Sequence, residues 1–182
     1  MTGMIKKLLF PIMLGLFFSA TLQAAEAEIQ GADSNSKILI FVRHAEKQLD
    51  QGKDPSLTPA GQRRATQLAI ALKDMPFTAL YATPFKRTKE TLEPISKNKE
   101  ITVQVVDVKG GMSEHISRSV EKIKAEKGNV LVVGHSNTIP LLIKAIGGME
   151  IDAIAENDYD NLYLLTLPAK GSVGLIHTKY GQ

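Results

Sequence analysis

The sequence contains no cysteine, which excludes a disulfide scaffold, a thiolate-bound zinc and a cysteine nucleophile together. Tryptophan is absent too, and aromatic residues make up only 5% of the 182. Single-stranded nucleic acid is gripped by stacking on aromatic rings, so no nucleic-acid partner is expected. An excess of one charge is also missing, since a formal net of +3 is too small to argue for a polyanion. What is present is ordinary. With 43% hydrophobic and 23% charged residues, the chain has the composition of a folded globular protein. No internal repeat or low-complexity tract interrupts it.

The first residues read differently from the rest. Lys6 and Lys7 precede an apolar stretch from Leu8 to Phe18, and small and polar residues follow through Ala24, Ala25 and Ala27. A cationic start, a short apolar middle and small residues at a cleavage site are the layout of a secretory signal peptide. The apolar stretch is shorter than the roughly 20 residues that a bilayer span needs, which disfavours an uncleaved anchor. We therefore expect a signal peptide over residues 1–24 with cleavage between 24 and 27. A flexible leader over 25–36 and one domain over 37–182 follow it. Removing residues 1–24 takes away two lysines and no acid, leaving 20 basic and 19 acidic groups. The expected product is a nearly neutral protein, periplasmic or secreted, with no stable membrane span after processing.

Within the domain, strands and helices alternate. Residues 38–42 form a continuous β-branched and aromatic run, the pattern of a strand buried on both faces. Thr58 and Pro59 suit an N-cap and a first helical position, and Ala65, Leu68, Ala69 and Leu72 follow at helical spacing. A strand over 79–82 precedes a helix marked by Phe85, Thr88, Leu92 and Ile95, with Pro94 near its end. A third strand is expected over 101–106, then a helix marked by Ile116, Val120 and Ile123 and closed by Gly128. A fourth buried strand over 130–133 leads to a helix bearing Ile139, Leu142, Ile143 and Ile146, stopped by Gly147 and Gly148. Two strands, 162–167 and 173–176, finish the chain as an antiparallel edge around Gly171. The expected fold class is α/β, three-layered, with a mostly parallel sheet and helices on both faces.

In such sheets ligands bind beyond the carboxyl ends of the strands. The first strand runs into Arg43-His44-Ala45-Glu46, and the fourth into Gly134-His135-Ser136-Asn137-Thr138. Only four histidines exist in the chain, and two stand at these ends. The second strand leads to Thr83-Pro84, with Lys86 and Arg87 opening the next helix. Two histidines, two arginines and a helix N-terminus suit a phosphoryl dianion. The guanidinium fork matches phosphate oxygens, and the helix N-terminus adds N–H donors and positive potential. A neutral imidazole whose second nitrogen is held by a backbone carbonyl can act as nucleophile. The chemistry indicated is phosphoryl transfer through a phosphohistidine.

The stretch Arg43-His44-Ala45-Glu46, with Leu57-Thr58-Pro59-Ala60-Gly61 and Arg64-Ala65, resembles the first motif of the histidine phosphatase superfamily, in its phosphoglycerate mutase-like branch. Residues 81–91, Tyr-Ala-Thr-Pro-Phe-Lys-Arg-Thr-Lys-Glu-Thr, resemble its second motif, and Val132-Val133-Gly134-His135-Ser136 its third. The resemblance implies a phosphoglycerate mutase-like fold, His44 as nucleophile, and Arg43, Arg87 and His135 as ligands of the phosphoryl group. It implies no cofactor and no metal. The chain departs from the family twice. Ala45 stands where glycine is usual, and no acid after the third strand lines up with the family's proton donor. Glu46 is then the candidate donor, and Asn137 a candidate phosphate ligand. His115 and His177 read as structural or surface residues.

The function expected is an exported phosphatase acting on phosphomonoesters, with a small phosphorylated molecule or a phosphorylated cell-envelope component as partner. Two alternatives belong to other classes. Gly134-His135-Ser136-Asn137-Thr138 follows a strand and opens a helix as a nucleophile elbow does, so a serine hydrolase would use Ser136 with Asp158 or Asp160 and His177. The missing acid also admits a non-catalytic phospholigand-binding module. A histidine metal site is disfavoured, because neither His44 nor His135 has a second ligand at helical spacing.

Overall fold

The computed structural model describes residues 36–181. The expected signal peptide, and all of the expected leader but Ser36, lie outside the described residues. No described helix is long and apolar enough to cross a membrane.

Ten elements follow one another. They are β1 (Lys37–Arg43), α1 (Pro59–Ala71), β2 (Ala79–Ala82), α2 (Lys86–Lys99), β3 (Val103–Val105), α3 (Met112–Ala125), β4 (Val130–Gly134), α4 (Ile139–Gly147), β5 (Asn161–Leu167) and β6 (Gly174–Lys179). The strands form one six-stranded sheet in the order β3-β2-β4-β1-β5-β6. β1 with β4, β4 with β2, and β2 with β3 pair in parallel. β5 runs antiparallel to both β1 and β6. This is the α/β fold with a mostly parallel sheet that the alternating pattern predicts.

The pleat of β1 shows why the sheet is covered on both sides. Leu39 and Phe41 point into a core built with Ile123 of α3 and with Leu142, Ile143 and Ile146 of α4. Ile40 and Val42 point the other way, onto Leu68 of α1 and onto Leu92 and Ile95 of α2. Alternate residues of a strand face opposite sides, and all four side chains are fully buried. Each such burial contributes roughly 1.5–3 kcal/mol, so β1 is held from above and below.

Where the structure departs from expectation, the sheet edges are responsible. The third strand covers Val103–Val105 instead of 101–106. Ile101 is taken up by the end of α2, its N–H donating to Ser96 O at 3.1 Å and its carbonyl accepting from Ser96 Oγ at 2.7 Å. α2 continues past Pro94 to Lys99. β6 extends through His177, Thr178 and Lys179, polar residues that an apolar pattern does not mark. There His177 stacks on Tyr163 at 4.5 Å and bonds Asn161 Oδ1 at 2.7 Å.

The loop after β1 is locked to the start of α1. Thr58 caps that helix, accepting from Gly61 N–H at 3.0 Å, and the Thr58 N–H donates to Glu46 O at 2.9 Å. Gly61 presses so closely on the same carbonyl that a methyl group would overlap its oxygen. Gly61→Ala is expected to lower the unfolding free energy by about 2 kcal/mol through overpacking, although alanine has the better helix propensity. Unchanged stability in urea would show that the contact is loose.

Candidate active site

The site is assembled by sheet register. β4 lies between β1 and β2, with Arg43 opposite Gly134 and Ala82 opposite Val133. The His44 N–H continues the ladder, donating to Gly134 O at 3.0 Å. His44 and His135 therefore leave neighbouring parallel strands at the same level. Their rings meet edge to face, 5.3 Å apart. Thr83, one residue beyond β2, and Arg87 in the first turn of α2 close the third side. His44, His135 and Arg87 border a crevice of about 460 Å³, with Thr83 buried behind His135.

His44 is buried, and its Nδ1 lies 2.8 Å from the Ala45 carbonyl oxygen. A carbonyl only accepts, so Nδ1 carries the hydrogen and Nε2 keeps its lone pair. Burial pushes the His44 pKa down to about 4, with the charges of Arg87, Arg43 and Lys47 acting in the same direction. Ala45 itself packs against Leu57 and Ala65 in a small buried cluster. Its methyl group is thereby accommodated where the family usually has glycine.

His135 is fixed at its other nitrogen. Nε2 stands 3.0 Å from Thr83 Oγ1, which lies 2.9 Å from Thr88 Oγ1. The Thr88 hydroxyl reaches the Phe85 carbonyl at 2.8 Å. Burial first, and then the charges of His44 and Arg87, push the His135 pKa down to about 3. Thr138 precedes α4 without a side-chain cap bond to it. Its Oγ1 instead accepts from the His135 N–H at 2.9 Å.

Arg43 is 2% exposed. Its Nη1 donates to Ala155 O at 2.6 Å and its Nη2 to Glu156 Oε2 at 2.8 Å, while its guanidinium lies 4.4 Å over the Tyr159 ring. Arg87 stacks on Phe85 at the same distance. The Nε of each arginine is buried without a hydrogen-bond partner. Donors left unsatisfied in this way carry a free-energy penalty, which an incoming anion would relieve.

The other candidates divide. Asn137 lies exposed at the crevice wall, beside Ser136. Glu46 does not reach the wall. Arg64 Nε binds both its carboxylate oxygens at 2.9 and 3.0 Å. Burial alone would raise the Glu46 pKa, but Arg64 holds it below the ordinary value. The structure thus turns Glu46 toward Arg64 and does not bring it to the crevice with His44 and His135. His115, expected to be structural, is buried against the crevice with Nδ1 3.1 Å from Asp107 O. No spacing in the sequence marks Glu156 or Tyr159, whereas Thr83 lies within the stretch 81–91 that resembles the second family motif.

Residues 39–110 match the family model described as histidine phosphatase superfamily (branch 1). The family resemblance is shown there. The matched span of this histidine phosphatase-like chain runs from β1 through His44 and Arg87 to the loop before α3. No curated protein matches the sequence. Among solved structures, the chain is 18% identical to the protein histidine phosphatase SixA complexed with tungstate, with TM-score 0.62, covering 78% of this chain and 96% of that one. Phosphoglycerate mutase from Bacillus anthracis str. Sterne is also 18% identical, with TM-score 0.61, over 81% of this chain and 94% of that one. Mycobacterial glucosyl-3-phosphoglycerate phosphatase is 14% identical, with TM-score 0.56, over 72% and 90%. At these identities the likeness is one of fold.

The serine hydrolase constellation is not assembled. Ser136 Oγ donates to Glu156 Oε1 at 3.0 Å, with no imidazole as its base. His177 stands on β6 against Asn161, and Lys179 lies 2.9 Å from Asp160 and 3.6 Å from Asp158. Among the described residues, no group of three or more histidine and carboxylate side chains is placed to hold a metal.

The two depressed histidine pKa values give a signed expectation. Both lie below the ordinary imidazole value of 6.5, so the folded chain binds fewer protons than the unfolded chain once the pH falls below 6.5. Stability is therefore present above that pH and lost as the pH falls towards 4 and 3. The urea midpoint of wild type should drop across this window, and His135→Asn should drop less. Equal slopes would show that His135 titrates normally.

Proposed function

We propose that the chain is an exported phosphatase that hydrolyses phosphomonoesters through a phosphohistidine on His44. One observation carries this reading: a neutral His44 whose Nδ1–H is held by the Ala45 carbonyl at 2.8 Å, leaving Nε2 as a nucleophile. The lone pair of Nε2 attacks phosphorus as the ester P–O bond breaks. Arg43 and Arg87, with unpaired Nε–H groups, take phosphoryl oxygens. His135, anchored at Nε2 by Thr83, has Nδ1 left for another oxygen. A bound dianion reverses the local excess of positive charge and so favours the protonated imidazole. Water then attacks phosphorus, the P–N bond breaks, and inorganic phosphate leaves.

Hydrolysis is favoured over re-transfer by the short connection from Arg87 to His135, which holds the rest of α2, then β3, α3 and β4. Of the three structural neighbours compared, two are described as phosphatases and one as a phosphoglycerate mutase, so this preference rests on the connection and not on them. The protein histidine phosphatase is complexed with tungstate, an oxyanion as phosphate is. Export rests on the pattern of residues 1–24. It points to a small phosphorylated molecule or a phosphorylated cell-envelope component as substrate.

The test is metal-free hydrolysis of p-nitrophenyl phosphate by the chain from Ala25. His44→Ala is expected to reduce kcat more than about 10³-fold, and Arg87→Ala by about 10²-fold. Phosphate binding without turnover would leave a binding module in place of an enzyme.

A further inference from the structure

A phosphoryl-transfer crevice that cleaves alkyl esters needs a group to protonate the departing oxygen and to take a proton from the attacking water. The carboxylates around this crevice can be accounted for one by one. Glu46 is held by Arg64. Asp54 accepts from the Lys86 N–H at 2.9 Å, and Glu90 from the Leu57 N–H at 2.7 Å. Asp107 lies 3.5 Å from Lys109, and Glu114 pairs with Arg118 at 3.1 Å. None of these is on the crevice wall.

Glu156 is on the wall, the only carboxylate of the described residues that is. Its Oε2 meets Arg43 Nη2 at 2.8 Å, and its Oε1 accepts from Ser136 Oγ at 3.0 Å. Both partners adjoin the histidines, Arg43 preceding His44 and Ser136 following His135. The carboxylate is thus anchored at the rim of the phosphoryl cage. Its side chain is nevertheless 83% exposed, open to water and to the alcohol end of a substrate.

We propose that Glu156 is the proton carrier of the reaction, a catalytic residue supplied by the segment before β5. The proposal rests on the phosphatase reading above. In the first half-reaction the His44 Nε2–P bond forms and the P–O ester bond breaks. The protonated Glu156 gives its proton to the departing oxygen, which leaves as an alcohol. In the second, the resulting carboxylate takes a proton from water as the water oxygen bonds to phosphorus. The P–N electron pair returns to Nε2, inorganic phosphate leaves, and Glu156 is protonated again.

The surroundings suit both halves. In the resting site the Ser136 hydroxyl and Arg43 hold the Glu156 pKa below the ordinary carboxylate value, as a proton acceptor requires. A phosphoryl dianion that draws on Arg43 sets negative charge beside Glu156 in place of the guanidinium. That raises the proton affinity of the carboxylate for the first half-reaction.

The experiment compares Glu156→Gln with wild type on two esters. p-Nitrophenyl phosphate releases a stable anion without a proton, whereas β-glycerophosphate must release an alcohol. The quantity read is kcat/KM, which reports the steps up to P–O cleavage. The expected loss is at least about 10²-fold on β-glycerophosphate and under about 10-fold on p-nitrophenyl phosphate. Equal losses, no loss, or a gain on both (the result if Glu156 merely blocks Arg43) overturn the proposal. If wild type is active and His44→Ala is inert, such a result leaves the phosphatase reading standing. A wild type inert on both esters overturns that reading and this proposal together.

Discussion

The parallel pairing of β1 with β4 is the constraint on which the rest of the site depends. Arg43 lies opposite Gly134, and the His44 N–H donates to the Gly134 carbonyl. That ladder sets the two imidazoles 5.3 Å apart with no help from a loop. β1 and β4 are apolar on both faces and sit in the middle of the sheet, so a register slip would exchange side chains between the two cores and leave both mispacked. The spacing of the histidines is therefore enforced by the hydrophobic core and needs no ligand to create it.

Electrostatics follow from that placement. Two imidazoles and two guanidinium groups converge in a partly buried space, and desolvation with mutual repulsion keeps both imidazoles neutral. Such a site is unfavourable for further cations and receptive to anions. Hydrogen bonds to a backbone carbonyl for His44 and a threonine hydroxyl for His135 hold the rings without adding compensating negative charge. The one carboxylate at the wall, Glu156, is largely in solvent, where its charge is screened.

How much of this was legible in the sequence depended on burial. The central strands carry continuous apolar runs, and the residues just past them, His44 and His135, stand out by that position together with the motifs around them, and the structure brings their rings together. The edge strands could not be read as well. β3 pairs on one side only and shortened, while β6 carries polar residues on an exposed edge. Glu46 looked available because it is two residues from His44, yet its direction is decided by Arg64 on α1, a partner that no local pattern reveals. Glu156 and Tyr159 reach Arg43 from a segment without helix or strand. Their approach depends on how the chain returns from α4 to β5, and periodicity carries no information about such a path.

The grip on Arg43 has a consequence for how this architecture changes over time. The groups that would hold phosphate hang from the buried sheet and from the first turn of α2. Much of the wall facing the rest of a substrate comes from elsewhere: Val108 and Gly111 before α3, Met112 at its start, and Glu156 before β5. The same stretches also carry Val106 and Ile154, which are buried in the core shared with α3 and α4. Exchanging residues there would disturb that packing and, at Glu156, the hold on Arg43. The wall and the arginine beneath it are therefore tied together, and a change in one carries over to the other.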